Sequence, residues 1–67
     1  MKTTRFFLVE PNYYKFRIMV EAKFPYDARH KVKRWLFENK HIYIMNHELE
    51  VKMIYNPMTV KNIDAWI

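Results

Sequence analysis

With 67 residues and no cysteine, the chain is expected to form one small domain (residues 1–67) whose core is held by packing, without disulfides or a thiolate-bound metal. The absence of glycine excludes the glycine-rich phosphate loops of nucleotide-binding proteins, and the absence of serine and cysteine excludes the usual acyl-transfer nucleophiles. The net charge of +5 is concentrated in residues 1–41, which carry ten Lys/Arg against four Asp/Glu, and this asymmetry predicts a basic surface that attracts an anionic partner.

Two strands are predicted at the start of the chain. Residues 4–9 contain an apolar run, and Pro11 and Asn12 after it are typical of a turn. In residues 13–23 apolar and polar side chains alternate, which indicates a half-buried strand. The side chains expected to face the core are those of Tyr14, Phe16, Ile18, Val20 and Ala22. The two strands are expected to pair as a β-hairpin.

A helix is predicted after Pro25, which ends the second strand. Asp27 is a suitable N-cap, and the helix is expected to run from about Ala28 to Asn39. At the helical period, one face carries Ala28, Val32, Trp35, Leu36 and Asn39, and from it Trp35 and Leu36 are expected to pack on the sheet. The opposite face is basic.

A second hairpin is predicted from residues 41–45 and 48–55, with Asn46 and His47 as its turn. This loop would pair Ile44 with Leu49 and Ile42 with Val51, which places all four apolar side chains on one face.

Two alternatives are open for the tail, residues 58–67. It is either a short helix capped by Thr59 or an irregular segment that wraps the sheet. The fold class is therefore α+β: two antiparallel hairpins in ββαββ order, one helix packed on one face of the sheet, and a short C-terminal helix as an option.

The first candidate site is the exposed, basic face of the helix. It combines cations with an aromatic ring, a combination that suits nucleic acid or an acidic protein partner. Its members are Arg29, His30, Lys33, Arg34, Phe37 and Lys40. The alternative is an ordinary solvated helix face, in which the exposed Phe37 has no structural role.

The second candidate is the sheet face away from the helix, together with the apolar C-terminus. Its members are Phe6, Leu8, Trp66 and Ile67. One interpretation is base stacking of the kind that RNA-binding sheet domains use, although their glycine-containing signature is absent. A second is a contact with a protein partner or a homodimer interface. A third is that the C-terminal segment covers this face as a second layer.

The histidines and carboxylates give no specific pattern. His30, His41 and His47 lack the spacing of a zinc site and are expected at the surface. Glu48 and Glu50 are two residues apart, and the expected contact is an ordinary cross-strand one between Tyr43 and Glu50. The sequence therefore predicts no catalytic residue, no metal and no cofactor.

The composition, rich in Lys, Ile, Tyr, Asn and Met and without Gly, Ser or Gln, is similar to that of short accessory proteins of bacteriophages. No apolar run reaches the roughly 18 residues of a membrane-spanning helix, and no signal peptide is expected, so the predicted location is the cytoplasm, that of the host if a phage encodes the chain. The expected function is non-enzymatic binding to a protein whose activity is modulated. The alternative is DNA or RNA binding through the basic helix face.

Overall fold

The computed structural model describes residues 4–67, and within them it confirms the α+β class and the ββαββ order. The regular elements are β1 (Arg5–Pro11), β2 (Ile18–Ala22), α1 (Pro25–Lys40), β3 (Leu49–Ile54) and β4 (Ala65–Trp66). Two single turns of 3-10 helix, Asn46–Glu48 and Pro57–Thr59, precede and follow β3. Nowhere in residues 4–67 is there a helix with the length and hydrophobicity needed to cross a membrane.

The four strands form one mixed sheet in the order β3-β1-β2-β4. The predicted first hairpin is confirmed, because β1 pairs antiparallel with β2 and Phe7 lies opposite Val20. Alternation along β1 and β2 turns one set of side chains toward α1. This set makes the core together with three helix residues and two later residues, and the core contains Phe7, Val9, Ile18, Val20, Ala22, Ala28, Val32, Leu36, Ile44 and Leu49.

The second strand of the first hairpin, β2, is shorter than the alternation in residues 13–23 predicted, and Pro11 explains why. The Asn12 N–H donates to the Glu48 carbonyl oxygen (2.8 Å), so even-numbered residues of β1 bond toward β3 and odd-numbered ones toward β2. Pro11 is therefore the last residue of β1, not part of the turn, and the donor it lacks would have pointed to the β2 side. The ladder stops there, and β2 begins only at Ile18, although residues 13–23 alternate.

The helix begins three residues before its predicted start. Pro25 is its first residue, which suits proline because the first N–H of a helix has no intrahelical partner. The N-cap is Phe24, so the prediction that Asp27 caps the helix is wrong. Asp27 lies in the first turn, where its negative charge interacts favourably with the positive end of the helix dipole. The predicted buried face is confirmed for Ala28, Val32 and Leu36.

The second hairpin is only approximate. The strand predicted at 48–55 exists as β3, but it pairs with β1, with Val51 opposite Val9 and Met53 opposite Phe7. Residues 41–45 are not a strand, and Asn46 and His47 begin a 3-10 turn. The fourth strand of the order is β4, which pairs parallel with β2. A 3-10 turn takes the place of the two-residue loop, which would have required positive φ at His47.

The tail follows the second of the two predicted alternatives. No helix begins at Thr59; the Asn56 side chain accepts a hydrogen bond from the Met58 N–H (3.1 Å) and caps only a 3-10 turn. Because β3 and β4 are on opposite edges of the sheet, residues 55–64 run from one edge to the other. β2, β3 and β4 run in the same direction, so α1 lies in a crossover from β2 to β3 and the tail forms a crossover from β3 to β4. Crossovers are right-handed, and these two cross the sheet in opposite directions, so the tail lies on the face opposite α1.

Burial on that outer face fits this path of the tail. The side chains of Leu8 and Met19 alternate with core residues and so face away from α1, yet they are 4% and 1% exposed. Arg17, just before β2, ties the tail down: its N–H donates to a carboxylate oxygen of Asp64 (2.7 Å), and its carbonyl accepts from the Asp64 N–H (2.7 Å).

Candidate partner-binding groove

The end of α1 brings two segments side by side. The helix ends at His41, whose backbone is left-handed (φ 56°) and whose N–H donates to the Phe37 carbonyl oxygen (3.2 Å). The chain then turns back, and the Ile42 N–H donates to the Leu36 carbonyl (3.2 Å). Residues 42–44 consequently lie against the flank of the helix.

Between the helix and this returning segment lies a shallow groove of about 240 Å³, which we call the basic aromatic groove. It is lined by His30, Lys33, Arg34, Phe37, Ile42, Tyr43 and Ile44. Ile44 is buried and Ile42 packs on the core, so the side chain between them, that of Tyr43, points outward. The groove therefore has an apolar floor that belongs to the fold.

An aromatic pair forms one wall of the groove. The rings of Phe37 and Tyr43 have centroids 6.0 Å apart and planes at 85°, an edge-to-face contact. These side chains are 55% and 83% exposed, so most of their apolar surface is still in contact with water. Exposed aromatic surface of this kind is what protein interfaces bury at their centre.

The groove has few cations, and ion pairs with acidic side chains neutralise little of their charge. Arg34 forms an i,i+4 ion pair with Glu38 (3.5 Å), which is exposed and contributes little to stability. Lys33 forms no ion pair with any residue between 4 and 67. His30 makes an edge contact with Tyr26 (centroids 4.4 Å apart) and adds a third basic side chain.

The structure divides the basic face that the sequence predicted. His30, Lys33, Arg34 and Phe37 all line the basic aromatic groove. Lys40 lies elsewhere, because its ammonium is 5.6 Å from the centroid of Phe16 and 6.0 Å from that of Trp35. Such cation–π contacts hold its charge over aromatic rings at the end of the helix.

Arg29, the remaining member, is half-buried and does not line the groove.

The predicted apolar patch is not one exposed surface, although Phe6, Leu8 and Trp66 share the face of the sheet away from α1. Leu8 is buried and Phe6 is half-buried on the outer face of the sheet. Ile67 packs against the core, and Trp66 is the one member that is more than half exposed (52%). Ile67 directly follows β4, and because successive side chains alternate it points to the side of the sheet opposite Trp66.

The remaining histidines and carboxylates that the sequence singled out belong to turns and strands of the fold. His41 is the left-handed cap of α1, and His47 lies in the 3-10 turn before β3. Within residues 4–67 no three His, Cys, Asp or Glu side chains are grouped so as to hold a metal ion. The expected Tyr43–Glu50 contact is wrong, since β3 pairs with β1 and Glu50 therefore lies opposite Glu10.

Tyr43 is the groove residue that sequence reasoning assigned to a different place. Alternation correctly separated it from Ile42 and Ile44, but the assumed hairpin put it on a sheet face instead of beside α1. The signal that could have found it is the exposed Phe37, one turn before the helix end, which needs an apolar neighbour from the segment that follows.

Comparisons with protein-family models, with curated proteins and with solved structures found no match for this chain.

Proposed function

We propose that this chain is a small, non-enzymatic interaction protein that binds an acidic, partly apolar segment of another protein in the basic aromatic groove and thereby modulates that protein. The observation that carries the proposal is the exposed edge-to-face pair of Phe37 and Tyr43 beside Lys33. A few residues carry most of the binding energy of a protein interface, and Tyr and Arg are enriched among them.

Ring geometry favours a protein partner over nucleic acid. Bases stack on the open faces of aromatic rings. Here the planes of Phe37 and Tyr43 are nearly perpendicular, so the edge of one ring is directed at the face of the other. The notch between the two rings suits an aliphatic or aromatic side chain better than a stack of successive bases.

The charge of the groove also favours a short acidic segment. Lys33 and Arg34 are its two full cations, and Glu38 already accompanies Arg34 at 3.5 Å. Single-stranded nucleic acid needs a longer cationic track along its backbone. A pair of cations is enough to steer one acidic peptide into place.

DNA or RNA binding is the second candidate, and the observation that favours it is the net charge of +5 together with exposed rings beside cations. It makes a different prediction. Binding of a single-stranded oligonucleotide should weaken steeply as salt rises, with a log–log slope of about −0.7 per phosphate contact.

A peptide-display selection tests the proposal. Random peptides are selected on the wild-type protein alone, and the enriched peptides are then assayed for binding to Phe37→Ala. We expect enrichment of sequences that combine Asp or Glu with a large apolar residue, because Lys33 and the two rings select for both. The matched control is Tyr13→Ala, an exposed tyrosine outside the groove, which should retain every selected peptide.

Two outcomes would contradict the proposal. One is the absence of any enriched peptide while oligonucleotides bind with a steep salt dependence. The other is a set of peptides that bind wild type and Phe37→Ala equally well.

A further inference from the structure

We infer that β3 is a pairing edge for a second copy of this chain, joined antiparallel about a two-fold axis at Val51. The sheet order places β3 at one edge and β4 at the other. β4 is only two residues long, which is a common way of protecting an edge, whereas β3 has six residues and no proline.

The outer edge of β3 has backbone groups available for pairing. Because Glu48 bonds to Asn12, the residues of β3 that bond to β1 are Glu50, Lys52 and Ile54, and the groups of Val51 and Met53 point outward. Within residues 4–67, no hydrogen bond apart from those of the ladder itself reaches the N–H or carbonyl of either residue.

The pattern of charges selects a second copy as the partner and also fixes the register. With Val51 opposite its own copy, Glu50 lies opposite Lys52 of the partner subunit, and the two-fold axis generates that ion pair twice. Moving the axis by one residue in either direction places Lys52 opposite Lys52 or Glu50 opposite Glu50, which is unfavourable. Glu50 and Lys52 are both exposed, and the ion pair between them within the strand is long, at 4.0 Å. An exposed pair of this kind contributes little, so it competes only weakly with pairing across the edge.

The apolar side chains agree with this register. On the opposite side of the strand, Leu49 would lie opposite the partner's Met53, and Met53 is 43% exposed in the single chain. The Val51 N–H and carbonyl would be exchanged between the two copies, and the Met53 N–H would donate to the partner's Leu49 carbonyl. The Leu49 N–H already donates to Asn46, so it needs no partner across the edge.

The test uses charge reversal and measures self-association by sedimentation equilibrium from micromolar to millimolar concentration. Glu50→Lys and Lys52→Glu each turn both predicted ion pairs into repulsions and should weaken association about tenfold or more. An equimolar mixture of these two variants restores both ion pairs, so it should form a heterodimer as tightly as the wild type associates. The double variant Glu50→Lys/Lys52→Glu also keeps both pairs and should match the wild type.

Recovery in the mixture and in the double variant would support this register, because recovery in the mixture also shows that the single variants are folded. The inference would be overturned by a wild-type protein that stays monomeric to millimolar concentration, by single variants that associate as tightly as wild type, or by a mixture that forms no heterodimer. None of these outcomes depends on what the basic aromatic groove binds.

Discussion

The backbone conformation of His41 determines how the chain leaves α1 and turns back to form one side of the basic aromatic groove. Its φ of 56° is left-handed. Glycine adopts this conformation at little cost, whereas for other residues it costs about 1–2 kcal/mol of free energy. The chain has no glycine, so a histidine occupies the position where helices most often end with one. The strain is local and can be measured.

We expect His41→Gly to raise the free energy of unfolding by about 0.5–1 kcal/mol, because the relief of strain exceeds the extra entropy of glycine in the unfolded chain. Urea unfolding followed by circular dichroism measures this difference. Glu38→Gly is the matched control inside the helix and should lower stability by about 1 kcal/mol. A loss of stability in His41→Gly would mean that the histidine side chain, and not its backbone, determines the helix end.

At the scale of elements, the pairing of β1 with β3 brings two like charges together. Glu10 and Glu50 lie directly opposite each other on the face away from α1. Arg17 lies 3.5 Å from Glu10 and offsets part of the repulsion. This pairing joins strands that are far apart in sequence, and its charge pattern could not have been read from either strand alone.

We expect Glu50→Lys to raise the stability of the single chain by about 0.2–1 kcal/mol, since it replaces a repulsive cross-strand pair with an attractive one. The measurement is urea unfolding at a protein concentration low enough to exclude association. Glu50→Gln removes the repulsion without adding attraction and should lie between the two proteins. If Glu50→Lys is instead less stable, the ion pair with Lys52 outweighs the repulsion from Glu10.

Local patterns predicted the elements but not all of their partners. The alternation in β2 and the helical period of Val32 and Leu36 identified the core, because side-chain periodicity reports which side is buried. It identified Ile42 and Ile44 as inward-facing for the same reason. Periodicity does not report hydrogen-bond partners, so an adjacent hairpin was expected where β3 pairs with the distant β1. The basic residues of the groove were predictable from the helix, whereas Tyr43 depended on that pairing.

At the scale of the whole molecule, the two proposed surfaces have different chemistry. The basic aromatic groove is cationic and aromatic, and the β3 edge carries both signs of charge and a row of backbone groups. A two-fold axis at Val51 would be perpendicular to the sheet, so both helices, and both grooves, would lie on the same side of a continuous sheet. A partner with two acidic segments would then gain effective concentration from binding both grooves.

The most direct test of the groove is the affinity of one selected acidic peptide for the wild type and for Phe37→Ala, measured by titration at low salt. We expect a loss of about 2 kcal/mol, roughly thirty-fold, as for an aromatic anchor at the centre of an interface, with an unchanged unfolding transition because Phe37 is largely exposed. Equal affinities for the two proteins, with both folded, would contradict the assignment of the groove as the binding site.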